Sequence, residues 1–290
     1  AVLGRTALSP NIKERKDYSC SLFNDKGETL AQGSHIPVHL GAMPLSVQAA
    51  LRSVTFEKGD LVILNDPYRG GTHLPDITCI SPVFLGRKLS FFVANRAHHS
   101  DVGGMTPGSM PLATELFQEG LIIPPLKLYA RGRMNRAVFD LILSNVRTPD
   151  ERRGDLLAQV AANEIGRARL EEAVARFGAG KVRLYSTLIQ DYTEGFLRET
   201  IRSIPDGTYA FEDFLDNDGI SERSLKIAVR VTIRGDRAIV DFSPSSPQTE
   251  GGVNANFAIT SSAVLYVFRS LVEEDIPFNT GLLRPLEIVA

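Results

Sequence analysis

Residues 60–104 read DLVILNDPYRGGTHLPDITCISPVFLGRKLSFFVANRAHHSDVGG, and this stretch decides both the fold and the candidate site. Leu61 to Leu64 is a short apolar run that predicts a buried strand. Ile77 to Phe84 and Leu89 to Ala94 predict two more strands, because the Gly86-Arg87-Lys88 turn between them is typical of a hairpin. Antiparallel pairing brings the two outer ends of such a hairpin side by side.

The outer ends of this hairpin carry the residues that indicate chemistry. His73 and Asp76 precede the first strand, and His98 follows the second. Because Pro75 is unsuited to a helix interior, the segment from His73 to Asp76 is predicted to be a loop or a strand edge. Imidazole and carboxylate groups are a common ligand set for a divalent metal. Any one of these histidines alone is more often a hydrogen-bonded structural residue, but the two motifs together indicate a metal site.

All five histidines lie in one part of the chain. His35 and His39 stand just upstream, in the sequence HIPVH, where an extended backbone would point both imidazoles to the same face. His99 is the last histidine, and Asp101 follows two residues later. Histidines with scattered structural roles do not usually cluster in this way, so a shared site is favoured.

The bulk composition is that of a globular protein with enough chain for one large or two ordinary domains. The formal net charge of −2 over 290 residues gives no indication of nucleic acid or an anionic membrane as a partner. No apolar run has the length of a membrane-spanning helix. Cys20 and Cys79 lack a CxxC spacing, which favours reduced, buried thiols in a cytoplasmic protein over a catalytic cysteine. The start at Ala1 is interpreted as a processed or truncated end.

The order of predicted elements gives a mixed α+β fold, with β-rich N-terminal and C-terminal parts and a helical middle. We predict a β-rich metal-site region at 1–132, a helical segment at 133–205 and a β-rich region with one helix at 206–290. The last region is expected to continue beyond the chain end. No alternating βαβ pattern predicts a Rossmann sheet or a TIM barrel.

The helical segment contains two long predicted helices. Thr148-Pro149-Asp150-Glu151 is a strong helix start, and apolar residues follow at helical spacing up to Gly178. A second helix is predicted from Val182 to Ser203. Three charged residues near the start of the first helix are expected on its solvent-exposed face: Arg152, Arg153 and Asp155.

The remaining segments are predicted to be loops, turns and strands. Leu121 to Tyr129 contains two prolines and is predicted to be an edge strand at most. The acidic sequence Asp216-Asn217-Asp218-Gly219 lacks a full calcium-binding loop and is interpreted as a turn. The Gly-rich segment at 243–256 matches neither a P-loop nor a dinucleotide-binding turn.

Six segments, in order, resemble the B-type component of the ATP-dependent hydantoinase family. Relatives in that family include the C-terminal half of 5-oxoprolinase and the alpha subunit of acetone carboxylase. The segments are NIKERKDYSCSLFNDKGE, HIPVHLGAMP, GDLVILNDPYRGGTHLPDI, NRAHHSDVGG with PGSMP, FEDFLDNDG and IPFNTG. They run over essentially the whole chain. Family members are considerably longer, so the resemblance implies a fragment, a nicked chain or one product of a split gene.

The resemblance also implies which residues form the site. The ligands of a divalent metal, zinc or manganese, would be Asp17, His73, Asp76 and His98. The catalytic candidates His39, His99 and Asp101 would then orient these ligands or transfer protons. For His99, the orienting role is favoured slightly over direct ligation.

The resemblance further implies a division of labour between two subunits. An A-type partner with an actin-like kinase fold would bind ATP and phosphorylate the amide oxygen of a small cyclic amide or imide. This chain would hold the metal that delivers water to the ring, as the hydrolase subunit of a cytoplasmic hetero-oligomer. Two alternatives stay open: carboxylation of a ketone, as in acetone carboxylase, and a catalytically silent assembly subunit.

Overall fold

The computed structural model describes the backbone of residues 1–290 and every side chain except that of Ser34. It has the predicted mixed α+β fold and contains two sheets. In chain order the elements are α1 (Val2–Thr6), α2 (Pro10–Lys13), β1 (Tyr18–Asn24), β2 (Thr29–Ser34), α3 (Ala42–Ser53), β3 (Leu61–Leu64), β4 (Asp76–Leu85), β5 (Lys88–His98), α4 (Leu116–Glu119), β6 (Leu126–Ala130), β7 (Arg133–Met134), α5 (Arg136–Ser144), α6 (Pro149–Phe177), α7 (Ala179–Arg202), β8 (Gly207–Leu215), β9 (Leu225–Arg234), β10 (Arg237–Asp241), α8 (Phe257–Ser270) and β11 (Leu286–Val289), with short 3₁₀ helices at Pro37–His39, Pro67–Arg69 and Thr280–Leu283.

The first sheet has seven strands in the order β2-β1-β5-β4-β3-β6-β7, and all neighbouring strands are antiparallel. The predicted hairpin is confirmed as β4 and β5. Both strands are longer than expected, so that Asp76 is the first residue of β4 and His98 is the last residue of β5. These two residues are directly opposite each other in the ladder, which places a carboxylate beside an imidazole at one end of the hairpin.

Both faces of this sheet are buried, which explains the unbroken apolar sequence of β3. Alternate residues of a strand face opposite sides of a sheet. Val62 and Leu64 pack in one cluster with Met43 of α3, whereas Ile63 packs in another cluster with Phe139 of α5. Helices therefore cover the sheet on both sides.

The prediction of an edge strand at residues 121–129 is wrong in one respect. The strand β6 pairs with β3 on one side and with the two-residue β7 on the other. Pro124 and Pro125 lie before its first residue, Leu126. They therefore remove no backbone donor from the ladder, and the strand can pair on both sides.

The expected exposure of the charged residues at the start of α6 is wrong for two of the three. Arg152 is 1% exposed and Asp155 is 0% exposed. Asp155 Oδ1 accepts hydrogen bonds from the backbone N–H groups of Leu8 (2.8 Å) and Ser9 (3.0 Å), and its Oδ2 accepts one from Arg152 (2.9 Å). The N-terminal segment packs on this helix, and the buried ion pair holds the segment in place.

Polar side chains attach α6 to the central hairpin. Gln159 donates to the backbone oxygen of Ile77 (2.8 Å), and Asn95 donates to the side chain of Asn163 (2.8 Å). Gln159, Asn95 and Asn163 are all buried, and buried polar groups are costly unless they are paired. These contacts specify one register between the helix and the sheet.

The second sheet has four strands in the order β11-β10-β9-β8. β10 and β11 are parallel, and the other pairs are antiparallel. Helices α7 and α8 cover one face, where Leu197, Ile201 and Leu265 pack with Ile233 and Val240 of the strands. All residues of β8 are exposed.

Helix α8 attaches the C-terminal part of the chain to the segments that precede β3 and β4. Ser262 of α8 donates to the backbone oxygen of Val38 (2.6 Å) and accepts from the N–H of Gly41 (2.9 Å). A Cβ at Gly41 would lie 2.7 Å from the backbone nitrogen of Ser262, so glycine permits this close approach. Asn256, the N-cap of α8, donates to the backbone oxygen of Thr72 (2.7 Å). Among the helices described for residues 1–290, none is both long and apolar enough to cross a membrane.

Candidate metal centre

Three of the predicted ligands converge at the open end of the central hairpin. Asp76 Oδ1 lies 3.0 Å from His73 Nε2 and 3.3 Å from His98 Nδ1. One ligand atom from each of His73, Asp76 and His98 lies within 4.8 Å of the other two. Two imidazole nitrogens and a carboxylate oxygen at this separation match the donor set of a divalent-metal site.

The loop before β4 brings His73 to the cluster. Gly70 has a φ of 87°, which ends the 3₁₀ helix in the left-handed conformation that glycine tolerates. The next residue, Gly71, passes so close to the backbone oxygens of Asn65 and Asp66 that no side chain fits there. The backbone then turns, so that the N–H of Asp76 donates to the carbonyl oxygen of His73 (3.1 Å). The two side chains of this turn are thereby directed to the same point.

Asp17, the fourth predicted ligand, lies at the edge of this cluster. Its carboxylate Oδ2 is 3.9 Å from His98 Nδ1, and its backbone oxygen accepts from the N–H of His98 (3.0 Å). Asp17 comes just before β1, which pairs with β5 and aligns Tyr18 with Ala97. The pairing of these two strands explains how residues that are distant in sequence come together.

His39 also reaches the cluster, although its backbone is not extended as predicted. Pro37–His39 forms a 3₁₀ helix, which separates the two imidazoles that were expected on one face. His39 is buried with Nε2 3.4 Å from Asp76 Oδ2, and its Nδ1 is 2.9 Å from Ser19 Oγ. His35 is exposed and its ring packs edge-on against Tyr18.

The structure gives His99 and Asp101 other contacts. His99 is fully buried, with Nε2 2.9 Å from Gln159 Oε1, and burial lowers the pKa of its imidazole to about 4. Asp101 accepts from the backbone N–H and the guanidinium of Arg147, both at 2.7 Å. His99 therefore attaches the end of the hairpin to α6, and Asp101 anchors the loop that follows.

The sequence reasoning missed Arg96 and Thr72, which lie behind the cluster. Thr72 Oγ1 donates to Asp76 Oδ2 (2.5 Å), and the Arg96 guanidinium is 3.4 Å from the same hydroxyl. Arg96 is 0% exposed and also donates to Thr78 Oγ1 (2.8 Å) and Ser46 Oγ (2.6 Å). An arginine within the apolar strand sequence FFVANRA was the available signal, because arginine is almost never fully buried unless it is paired.

The charges around Asp76 keep its carboxyl group ionised. Burial by itself would raise the pKa of Asp76, but the charge of His73 and contacts with the three imidazoles hold that pKa well below its usual range. Burial by itself would lower the pKa of His73, but the nearby Asp76 carboxylate has the larger combined effect, so that the pKa of His73 is raised. Burial lowers the pKa of Arg96 to about 10, so its guanidinium stays charged at neutral pH. The site therefore combines an anionic oxygen with basic nitrogens.

Two buried polar atoms test whether these residues fit a metal ion. Asp76 Oδ1 and His39 Nε2 are buried and make no hydrogen bond to any described residue. Buried polar atoms are rarely left without a partner. An oxygen that two imidazole nitrogens approach at 3.0 and 3.3 Å without hydrogen-bond geometry is placed as a metal ligand would be. The residues present therefore fit a divalent cation.

A cavity of about 390 Å³ opens beside the cluster. His73 and Thr72 form the wall nearest the candidate ligands. Pro67, Tyr68 and residues of the segments 113–119 and 248–256 contribute the other walls. The cavity therefore lies between the loop that carries His73 and the loop before α8. Its volume is within the range of pockets that hold small organic ligands.

Comparison with known proteins gives consistent matches in sequence. The family profile described as hydantoinase B/oxoprolinase matches residues 1–290. The chain is 39% identical to an uncharacterized protein of Methanocaldococcus jannaschii, over 100% of this chain and 52% of that protein. It is 38% identical to 5-oxoprolinase 1 of Arabidopsis thaliana, over 99% of this chain and 25% of that one. A protein of Pseudomonas sp. named as the B-type subunit of a D-/L-hydantoinase is 34% identical, over 99% and 52%.

Solved structures show the same fold. An ATP-dependent caprolactamase from Pseudomonas jessenii matches with a TM-score of 0.93 and 32% identity, over 100% of this chain and 50% of that one. A nucleotide-free acetone carboxylase matches with a TM-score of 0.91, over 98% and 40%. At 22% identity, the second likeness shows the fold alone. The chain thus spans about half the length, or less, of the proteins it matches.

Proposed function

The chain belongs to the hydantoinase B/oxoprolinase family, and from this membership we propose that it is the metal-bearing part of an ATP-dependent hydrolase of small cyclic amides or imides. The observation that carries the proposal is the convergence of His73, Asp76 and His98 on one point beside a cavity. The names of the relatives support the reaction class, because they include 5-oxoprolinase, a hydantoinase subunit and a caprolactamase that uses ATP.

In this proposal Asp17, His73, Asp76 and His98 hold a zinc or manganese ion. Such an ion, when bound, polarises a carbonyl group and lowers the pKa of a bound water to roughly 7. The residues behind the ligands fix their orientation. Thr72 donates to the Asp76 oxygen that faces His39, and Arg96 contributes the positive charge that stabilises the carboxylate. Groups that hydrogen-bond to metal ligands in this way fix the orientation of those ligands and raise their basicity.

The second part of the proposal is a partner that handles ATP. An A-type subunit, or an equivalent domain of a longer protein, phosphorylates the amide oxygen of the ring. A first water attacks the activated carbon, and the ring C–N bond breaks as the leaving nitrogen takes up a proton, which leaves an acyl phosphate. A second water hydrolyses this acyl phosphate to the carboxylate and free phosphate. The cavity beside His73 receives the ring, and its walls at 113–119 and 248–256 limit the access of bulk water. The subunit name of one relative supports a partner of this type.

The proposal is tested by ring opening in the full-length protein combined with its A-type partner and ATP. His98→Ala is expected to abolish lactam-dependent ATP hydrolysis, while far-ultraviolet circular dichroism stays that of the folded protein. His35→Ala is the matched control, since that exposed imidazole contacts Tyr18 rather than the cluster, and it is expected to keep full activity. Equal activity of the two variants would reject the metal-dependent hydrolase and would favour a silent assembly role.

The division of labour is tested by a binding measurement without the partner. Isothermal titration of ATP into the B-type protein is expected to show no binding, because nucleotide binding belongs to the A-type subunit in this proposal. Clear saturable ATP binding to the B-type protein would reject that assignment. It would leave the metal assignment standing.

A further inference from the structure

Asn256 makes two separate side-chain contacts at the start of helix α8. Its side-chain oxygen accepts a hydrogen bond from the backbone N–H of Ile259 (3.1 Å), which is the ordinary role of an asparagine at the N-cap of a helix. Its side-chain nitrogen donates to the backbone oxygen of Thr72 (2.7 Å), in the loop that carries His73. The helix cap uses only the oxygen atom, so the contact with Thr72 needs another explanation.

Thr72 connects Asn256 to two of the candidate ligands. The carbonyl group that accepts from Asn256 belongs to the peptide bond between Thr72 and His73, so the contact fixes the backbone immediately before that imidazole. The hydroxyl of the same threonine donates to Asp76 Oδ2 (2.5 Å). Thr72 is only 5% exposed. Asn256 can therefore position His73 through the backbone and Asp76 through the Thr72 hydroxyl.

Helix α8 is anchored by contacts other than the one to Thr72. Leu265 and Phe268 are buried in the core that this helix forms with the second sheet. Ser262 donates to the backbone oxygen of Val38 (2.6 Å). The start of the helix therefore has a defined position, from which a side chain can hold a neighbouring loop.

Asp218 holds the segment that leads into Asn256. It is 2% exposed, and its Oδ2 accepts from the hydroxyl of Thr249 and from the backbone N–H of Gly251 (3.1 Å). Its Oδ1 accepts from the backbone N–H of Ser221 (2.7 Å). These bonds satisfy a buried carboxylate that would otherwise be costly, and they fix the backbone before the helix. Asn256 thus lies between two anchored elements.

We infer that Asn256 is a positioning residue for the candidate metal centre: from the start of α8 it holds the loop at residues 70–76, which carries His73 and Asp76. The importance of this loop for metal rests on the proposed function. A loop without the contact samples more conformations, and the entropy lost in ordering it then lowers metal affinity. The inference adds to the site a residue that is 184 positions from Thr72 in sequence.

The test uses a substitution that removes one of the two contacts and keeps the other. Serine is about as good an N-cap as asparagine, but it lacks the amide nitrogen that reaches Thr72. Asn256→Ser therefore keeps the helix cap and releases the loop. Asn135→Ser is the matched control, because Asn135 caps α5 through the backbone N–H of Val138 (3.3 Å), and none of its hydrogen bonds to described residues involves residues 70–76.

Three measurements on the full-length protein report the effect of Asn256→Ser. Hydrogen–deuterium exchange in the presence of chelator is expected to become at least several-fold faster at residues 70–76, while the amides of α8 keep their protection. Zn²⁺ affinity, measured by competition with a chromophoric chelator, is expected to fall about 10-fold. The visible absorption spectrum of the Co²⁺-loaded protein is expected to change, because it depends on the geometry of the ligands. Asn135→Ser is expected to leave all three unchanged.

Unchanged exchange at residues 70–76 in Asn256→Ser would overturn the inference. Faster exchange there, with the Zn²⁺ affinity and Co²⁺ spectrum of the wild type, would also overturn it, because the loop would then move without affecting the site. Failure of the proposed function is a different result: a wild-type protein that binds neither Zn²⁺ nor Co²⁺. In that event the exchange data alone decide whether Asn256 holds the loop.

Discussion

Arg96 is the residue whose replacement gives the sharpest prediction about the support of the metal centre. Arg96→Met keeps most of the apolar stem and removes the buried charge. Two short hydrogen bonds are lost, to Thr78 Oγ1 (2.8 Å) and Ser46 Oγ (2.6 Å), and the cation near Asp76 is lost with them. Gly70 keeps a partner, because Ser46 Oγ already donates to its backbone oxygen (2.5 Å).

The magnitude follows from these contacts. A hydrogen bond to a charged group contributes about 1.5 to 3 kcal/mol, so the two lost bonds correspond to a decrease of about 3 to 6 kcal/mol in the free energy of unfolding. Removal of one partner from a buried charge pair typically costs about the same, roughly 3 to 5 kcal/mol. Metal affinity is expected to fall roughly 10- to 100-fold, as for other groups that orient metal ligands.

The assay is urea unfolding followed by circular dichroism in the presence of chelator, so that bound metal adds nothing to the measured stability. Arg230→Met is the control, because Arg230 is exposed and only 3.8 Å from Asp241, and such surface pairs contribute at most about 1 kcal/mol. A separate competition with a fluorescent chelator gives the metal affinity. A loss below about 1 kcal/mol for Arg96→Met, with unchanged metal affinity, would refute the reasoning.

Three further predictions concern other parts of the molecule. Burial raises the pKa of the Cys20 thiol to about 11 and that of Cys79 to about 12, so neither thiol is expected to react with iodoacetamide at pH 8 until the protein is unfolded. Rapid labelling of the native protein, detected by mass spectrometry, would contradict this prediction. Gly71→Ala is expected to lower metal affinity by displacing the loop that carries His73, and unchanged metal binding in this variant would count against the proposed role of that loop. The control is Gly180→Ala, in open space on a helix, which is expected to raise the free energy of unfolding by up to about 1 kcal/mol and to leave metal affinity unchanged. Backbone N–H groups, chiefly that of Ser221, lower the pKa of the Asp218 carboxyl in the folded protein, so the stability that it contributes is present above the unfolded pKa and is lost as pH falls through the lower folded pKa. In chemical unfolding, the difference in free energy of unfolding between wild type and Asp218→Asn should therefore shrink between pH 7 and pH 3, and a constant difference would exclude this role.

Local sequence patterns were sufficient to predict the central hairpin. Two apolar runs and a glycine turn identified β4 and β5, and pairing of their ends placed Asp76 beside His98. The reason is that hairpins are short-range structures whose register depends on residues close in sequence. Family resemblance rather than local pattern suggested Asp17, and the structure brings it to 3.9 Å from His98 through pairing between β1 and β5.

Features that depend on distant contacts were not accessible from local pattern. The buried state of Asp155 requires the backbone of Leu8 and Ser9, 147 and 146 residues away. The conformation of His39 was misjudged because Pro37 begins a 3₁₀ helix that the alternating sequence does not reveal. The cavity could not be foreseen either, since one of its walls, residues 248–256, is positioned by α8.

Metal content is the most direct test of the central claim. Elemental analysis of the purified full-length protein is predicted to find about one equivalent of zinc or manganese, in keeping with a single His and Asp ligand set. His73→Ala is predicted to lose that metal, and His35→Ala is predicted to retain it. A wild-type protein without metal, or a His73→Ala variant with undiminished metal, would contradict the account.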